Sequence, residues 1–277
     1  MFSLKTLVWV STLILLIACR KEPDTGVSNL NGNEISVFGH GGMGIKSTFP
    51  INSLKSIKKC LEKGADGTEI DVQLSEDGEL VAYHALDLKK QTNCEGLMYE
   101  QTWQEICGCV YADLKTAKIK VVRVEDIFNE INNLKNYIFT FDVKLYNGQA
   151  DVQTYQEEMS AALIKLIETY DLWDNIYLES TDRQFLQLMA DAVPQSKLFY
   201  YSNDFDSSLD FVLQEGLFGL TMAYDDISFD QVKEAHNAGI RIALWNTNTR
   251  DKNDIAIEKD PDYIQTDNLK YLLRTLN

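Results

Sequence analysis

Positive charge is scarce in this chain: 26 Lys and Arg stand against 42 Asp and Glu in 277 residues, a formal net charge of −16. A phosphate backbone would be repelled on balance, which excludes a basic nucleic-acid-binding protein. The apolar run from Leu7 to Ala18 is too short to cross a bilayer, which takes roughly 20 residues. Collagen-like, solenoid and low-complexity patterns are missing. No Gly-x-Gly-x-x-Gly follows the first expected strand, which weakens a dinucleotide-binding reading. No histidine lies in the segment that holds Cys94, Cys107 and Cys109, which disfavours zinc there. What is present is ordinary globular composition, 45% hydrophobic and 25% charged, which argues against global disorder.

The N-terminus reads as an address. Lys5 is the sole charge ahead of the Leu7 to Ala18 run, which suits a signal-peptide core. The run ends Leu16-Ile17-Ala18-Cys19, similar to the bacterial lipobox, whose cysteine is lipidated and becomes the new N-terminus. We therefore expect a signal peptide over 1–18, a lipidated Cys19 with a polar, flexible tether over 19–33, and a folded domain over 34–277. A plain signal peptide or a buried helix are the other readings of the run. Because the body is acidic, acyl chains rather than charge would hold it to a membrane. The expected location is exported and lipid-anchored, periplasmic or at the cell surface. In such an oxidising compartment Cys94 can pair with Cys107 or Cys109, with free thiols as the alternative.

From Ile35 onward, strand and helix patterns alternate. Strands are expected at Ile35 to His40, Gly67 to Leu74, Leu80 to His84, Tyr137 to Leu145, Asn175 to Glu179, Lys197 to Tyr201, Leu217 to Ala223, Arg241 to Asn246 and Tyr263 to Thr266, with helices after most of them. The turn Ser75 to Gly78 separates the second and third strands, and the rhythm breaks between about 85 and 122, which reads as an insertion. This order implies parallel strands with crossover helices, and about 250 residues favour an α/β fold of the closed (β/α)8 barrel type with a small insertion after the second barrel strand region.

Chemistry in such barrels sits at the carboxyl ends of the strands. His40 ends the first strand. In the second, side chains alternate, so Glu69 and Asp71 share one face and Ile70, Val72 and Leu74 the other. With the apolar set turned to the helices, both carboxylates turn inward, and a hard divalent cation is the simplest compensation for their repulsion. His84 ends the third strand. Asp142 and Lys144 share a face opposite Phe141, Val143 and Leu145, so Asp142 can complete a three-carboxylate set and Lys144 can face an anion. His236, on an expected helix, reads as surface or packing.

The order and spacing of these residues resemble the glycerophosphodiester phosphodiesterase family. That family's pattern is His-Arg-Gly, Pro-Glu-Asn-Thr, Gly-Ala-Asp-Gly, Glu-x-Asp, then a His after a Leu/Val run. Here the corresponding residues are His40-Gly41-Gly42, Pro50-Ile51-Asn52-Ser53, Gly64-Ala65-Asp66-Gly67, Glu69-Ile70-Asp71 and Val81-Ala82-Tyr83-His84. Farther along, Asp142-Val143-Lys144 stands where the family has Glu-x-Lys. Glu179-Ser180 resembles its Ser-Phe strand ending, Trp245-Asn246-Thr247-Asn248 its Trp-Thr-Val-Asn, and Thr266-Asp267 its final Thr-Asp.

The resemblance implies metal-assisted hydrolysis of a small-molecule phosphodiester. Glu69, Asp71 and Asp142 would hold Ca2+ or Mg2+. His40 and His84 would divide the general-acid and general-base roles. Lys144 would meet the phosphate, and Trp245 would cover the alcohol portion, a core aromatic being its other reading. Three departures stand out: the family's Arg, Glu and Asp are replaced by Gly41, Ile51 and Ala85. Arg and Glu are natural mutual partners, so Gly41 and Ile51 are expected to lie close together. Lys46, in the same loop, is the candidate replacement for the lost cation. Two other functions fit the pattern less well, a phospholipase D-like enzyme acting on lysolipid or sphingolipid and a non-catalytic lipoprotein that binds a phosphorylated ligand.

Overall fold

A computed structural model describes residues 29–112, 118–145 and 151–276. The expected signal peptide, Cys19 and the first part of the tether lie outside the described residues. In chain order the first part comprises β1 (Ser36–Gly39), α1 (Leu54–Glu62), β2 (Gly67–Leu74), β3 (Leu80–Ala82), α2 (Trp103–Ile106), β4 (Val122–Arg123), α3 (Val124–Glu130) and β5 (Ile138–Val143). Then come α4 (Val152–Tyr170), β6 (Ile176–Ser180), α5 (Arg183–Ala192), β7 (Lys197–Tyr201), α6 (Phe205–Glu215) and β8 (Gly219–Ala223). The chain ends with α7 (Phe229–Asn237), β9 (Arg241–Thr247), α8 (Arg250–Glu258), β10 (Tyr263–Thr266) and α9 (Leu269–Leu276).

Eight of these strands, β1, β2 and β5 to β10, pair in parallel and close through β1–β2 and β1–β10. The outward-facing residues form the main core. Ile70, Val72 and Leu74 of β2 and Phe139, Phe141 and Val143 of β5 are buried in one apolar cluster with Ile57, Phe128 and Leu163 of the surrounding helices. Each such side chain contributes roughly 1.5–3 kcal/mol by leaving water. The lower interior is an aromatic plug of Phe38, Tyr177, Phe199 and Tyr263.

Between β2 and β5 the chain leaves the barrel. The third strand ends at Ala82 and runs antiparallel to β2, because the turn at Ser75 to Gly78 is too short for a parallel crossover. His84 therefore lies beyond a hairpin strand rather than at the end of a barrel strand. The segment from β3 to β4 builds its own small core around Tyr83, Leu88, Met98, Ile106 and Val121, closed by a Cys94–Cys109 disulfide. The Cys107 and Cys60 thiols are free.

The tether expectation differs from the structure over its last residues. Asn29 donates to the Asp260 carboxylate at 2.9 Å, the Leu30 amide to Asp262 Oδ1 at 2.6 Å, and the Asn31 side chain to the Asp262 carbonyl at 2.9 Å. These contacts precede β10 and so lie at the floor of the barrel, the end away from the strands' carboxyl termini. Polar composition alone does not separate a solvated tether from one pinned by side-chain bonds.

Candidate active site

The inward-facing residues stack in layers drawn from alternate strands, as a tilted barrel requires. Glu179 of β6 is in register with Asp142, which is in register with Asp71. Register is not level, however: the strands are staggered by about one residue per strand. Glu179 is thus bonded by Thr221, two positions above its in-register neighbour on β8, Gly219. By the same stagger its level partner on β2 lies two below Asp71, at Glu69. One layer holds Glu69, Glu179, Thr221 and Gln265, and the layer above holds His40, Asp142, Tyr201 and Trp245.

Glu69, Asp142 and Glu179 each offer an oxygen within 4.8 Å of the other two. Glu69 Oε2 accepts the Gly41 amide at 2.8 Å, while Glu69 Oε1 is buried with no hydrogen-bond partner. Glu179 Oε2 accepts from Thr221 Oγ1 at 2.7 Å and Gln265 Nε2 at 2.9 Å. Burial, then the neighbouring Asp71, pushes the Glu69 carboxyl well above its usual range. Burial also raises Asp142 despite Lys144, and burial with Asp142 raises Glu179 to about 7. Such crowding of buried acids, with one oxygen left unbonded, fits a hard cation: Ca–O bonds of about 2.4 Å let oxygens as far as about 4.8 Å apart share one ion.

Asp71 belongs to a different arrangement. Asn52, held in left-handed backbone before α1 by Ser53 as helix cap, grips it twice: its Nδ2 donates to Asp71 Oδ2 at 2.6 Å and its Oδ1 accepts the Asp71 amide at 3.0 Å. Lys144 Nζ lies 2.9 Å from Asp71 Oδ1 and also donates to Asp142 Oδ2. Although burial opposes ionisation, Lys144 and then His84 hold the Asp71 carboxyl below its ordinary range. Lys144 in turn is held protonated by Asp71 and Asp142 against its burial.

His40 receives its position from Asp267, just beyond β10: its Nδ1 is 2.9 Å from Asp267 Oδ1, and its Nε2 faces Glu69 at 3.9 Å. Burial disfavours the imidazolium, but the Asp267 bond and the charges of Glu69, Asp267 and Asp71 raise it to about 10 in the metal-free site. His84 is exposed at the mouth, within electrostatic reach of Asp71 and Asp142. Trp245 packs edge-on against Tyr201 at 5.4 Å, with its Nε1 buried and unpartnered. Lys46 is on the outer side of the loop, bonded to the Asn248 carbonyl at 2.7 Å, in a groove of about 410 Å³ that also takes in Lys59, Lys63 and Lys270.

Gly41 and Ile51 do lie together. A Cβ on Gly41 would sit 2.4 Å from Ile51 Cβ, and the positive φ of Gly41 aims its amide at Glu69. Glu179 and Asp267 were not singled out from sequence as site residues. The signal for Glu179 was its alternation with Tyr177, which puts a carboxylate on the inward face of β6. Asp267 ends the Thr266-Asp267 pair that resembles the family's final Thr-Asp, but the sequence gives it no link to His40, which is 227 positions away.

The family model for the glycerophosphoryl diester phosphodiesterase family matches residues 43–270. A glycerophosphodiester phosphodiesterase of Caldanaerobacter subterraneus is 25% identical over 239 residues, covering 83% of this chain and 93% of the relative. Among solved structures, a glycerophosphodiester phosphodiesterase of Parabacteroides distasonis superposes with TM-score 0.76 at 21% identity, over 88% of this chain and 97% of that one. An Oleispira antarctica phosphodiesterase bound to the product sn-glycerol-3-phosphate superposes with TM-score 0.75 at 20% identity, over 87% and 96%.

Proposed function

This chain belongs to the glycerophosphoryl diester phosphodiesterase family, and we propose that it cleaves small glycerophosphodiesters to an alcohol and glycerol phosphate at the acid cluster of the barrel mouth. The observation that carries the site assignment is the convergence of Glu69, Asp142 and Glu179 around the unbonded Glu69 Oε1. A Ca2+ or Mg2+ ion held by these three would supply positive charge against a non-bridging phosphate oxygen.

The chain's own residues do the rest. Lys144, held by Asp71 and Asp142, offers a second positive charge on the phosphate side. Whether from water, giving glycerol phosphate directly, or from the substrate itself, giving a cyclic phosphate that a water then opens to glycerol phosphate, a hydroxyl attacks phosphorus. Its proton passes to one imidazole, and the departing alcohol oxygen takes a proton from the other. We assign these roles to His40 and His84, which both lie within electrostatic reach of Asp71. Asp267 fixes the His40 ring through Nδ1, so Nε2 is the nitrogen that exchanges a proton with the reactants. Asn52 keeps Asp71 aimed at Lys144. Trp245 and Tyr201 form the aromatic wall against which the alcohol portion rests.

The anchor reading completes the proposal: an exported enzyme, lipidated at Cys19, periplasmic or at the cell surface. The Leu16 to Cys19 pattern and the Cys94–Cys109 disulfide support it. The experiment that tests the activity is a panel of phosphodiesters assayed with Ca2+, with Mg2+ and after EDTA treatment, with glycerol phosphate measured as product. Turnover should vanish with EDTA and return with one of the two ions. Full turnover in EDTA would remove the metal from the proposal.

A further inference from the structure

We infer that the N-terminal residues, clasped to the floor of the barrel, hold the mouth away from the membrane that carries the anchor, so that the enzyme works on water-soluble phosphodiesters and not on lipids of that bilayer. This rests on the reading of Cys19 as the lipidated residue.

The clasp is a fixed point. Asn29 is buried, bonded to Asp260 and the Pro261 carbonyl, and the Leu30 amide is held by Asp262. Asp262 is itself held on both oxygens. It is fully buried, and its other oxygen takes the Ile242 amide at 2.8 Å and meets His236 Nε2 at 2.9 Å. Arg241 and Tyr263 add bonds to Leu30 and Asn31. The acid cluster lies at the opposite end of the same strands.

Length decides what this geometry permits. Ten peptide steps separate Cys19 from Asn29. Whatever their conformation, ten residues span at most about 36 Å. A globule of this size is roughly 45 Å across. With the mouth on the bilayer, the clasp would stand about that far above it, and the peptide would also have to pass around the outer helices. The leash is too short for that while the clasp is closed. With the floor toward the membrane, by contrast, the leash reaches easily and the mouth opens to the aqueous compartment. Lysolipid or sphingolipid in the anchoring bilayer is thereby out of reach.

The test uses the full, lipid-modified chain in phosphatidylcholine vesicles that carry an energy acceptor on their head groups. A donor is attached at Asp174→Cys, on the exposed floor before β6, or at Asp225→Cys, on the exposed rim after β8, in a Cys107→Ser background. Given a body roughly 45 Å across, transfer from the Asp174 position should exceed that from Asp225 by about threefold or more. A Gly/Ser insertion of about 30 residues between Asp24 and Thr25 should bring the ratio toward one. Equal or greater transfer from the rim on the natural leash would overturn the orientation. A mature chain without acyl mass, or one that washes off the vesicles, would overturn the anchor reading and this inference with it. Hydrolysis of dissolved glycerophosphocholine by the same vesicles reports separately on the proposed activity.

Discussion

Two histidine–aspartate pairs, both at 2.9 Å, sit at opposite ends of this barrel, and only the His40–Asp267 pair faces the acid cluster. At the floor, His236 and Asp262 are sealed from water, and Asp262 also accepts two backbone amides. At the mouth, Asp267 likewise accepts a backbone amide, from Ile45, but the His40 side chain is 24% exposed and its second nitrogen looks toward an under-bonded carboxylate. The pair as such is a way to hold an imidazole ring. What the ring does depends on what its free nitrogen meets. The bonds of the floor pair lock α7, β9, β10 and the N-terminal clasp together, whereas the mouth pair leaves Nε2 of His40 facing Glu69 at 3.9 Å.

The largest expected effects break this comparison most sharply. His40→Ala should lower kcat/KM for a glycerophosphodiester by about 10²–10⁴, the usual worth of a positioned acid or base, with little change in the urea midpoint. His236→Ala should do the reverse. It removes one bond to buried Asp262 and costs roughly 2–3 kcal/mol in urea unfolding, while kcat of the folded protein stays within about twofold. If both variants lost activity and stability together, the distinction between the two ends would fail.

A second contrast lies within the mouth itself. Glu179 shares the cluster with the unbonded Glu69 oxygen, whereas Asp71 is already satisfied by Asn52 and Lys144. Glu179→Gln should therefore weaken Ca2+ or Mg2+ binding by about 100-fold, read by calorimetric titration. Asp71→Asn should leave ion affinity within about tenfold and act mainly on KM, by freeing Lys144. Equal losses of ion affinity would return Asp71 to the ligand set.

The difference between Glu179 and Asp71 also marks how far the sequence could be read. Alternation along single strands sufficed for the barrel, for the inward aim of Glu69, Asp71 and Asp142, and for the His40 position. It could not show level, because stagger is a property of the closed sheet: Glu69 meets Glu179 across the barrel only after β5 has been placed between β2 and β6. Asp267 escaped for a related reason, since sheet closure brings β10 beside β1. The regular strand-and-helix order also hides the hairpin nature of β3, although the short turn Ser75 to Gly78 allows no parallel crossover.

The acid cluster should also be visible in stability. The folded-state value of about 7 for Glu179 lies above its ordinary 4.5, so between those values the native state binds more protons than the unfolded chain. In metal-free protein this group's contribution to stability falls as pH rises from about 4.5 to about 7 and is level above that. The difference in urea midpoint between Glu179→Gln and the parent should therefore grow in the variant's favour across that window. Parallel curves would mean that the crowding of buried carboxylates is relieved some other way.

The smallest effect concerns the rim, where Trp245 stands between a packing role and a binding one. Its Nε1 is buried and has no partner, so the N–H already carries a desolvation cost in the free protein. Trp245→Phe removes that unsatisfied donor together with part of a ring that packs on Tyr201. The two changes oppose each other, and the unfolding free energy should move by less than about 1 kcal/mol. If the substrate supplies the missing acceptor, the same variant raises KM by about fivefold at unchanged kcat, the worth of one neutral hydrogen bond. A KM that stays put, with stability lowered by several kcal/mol, would make Trp245 a packing residue and remove it from the substrate wall.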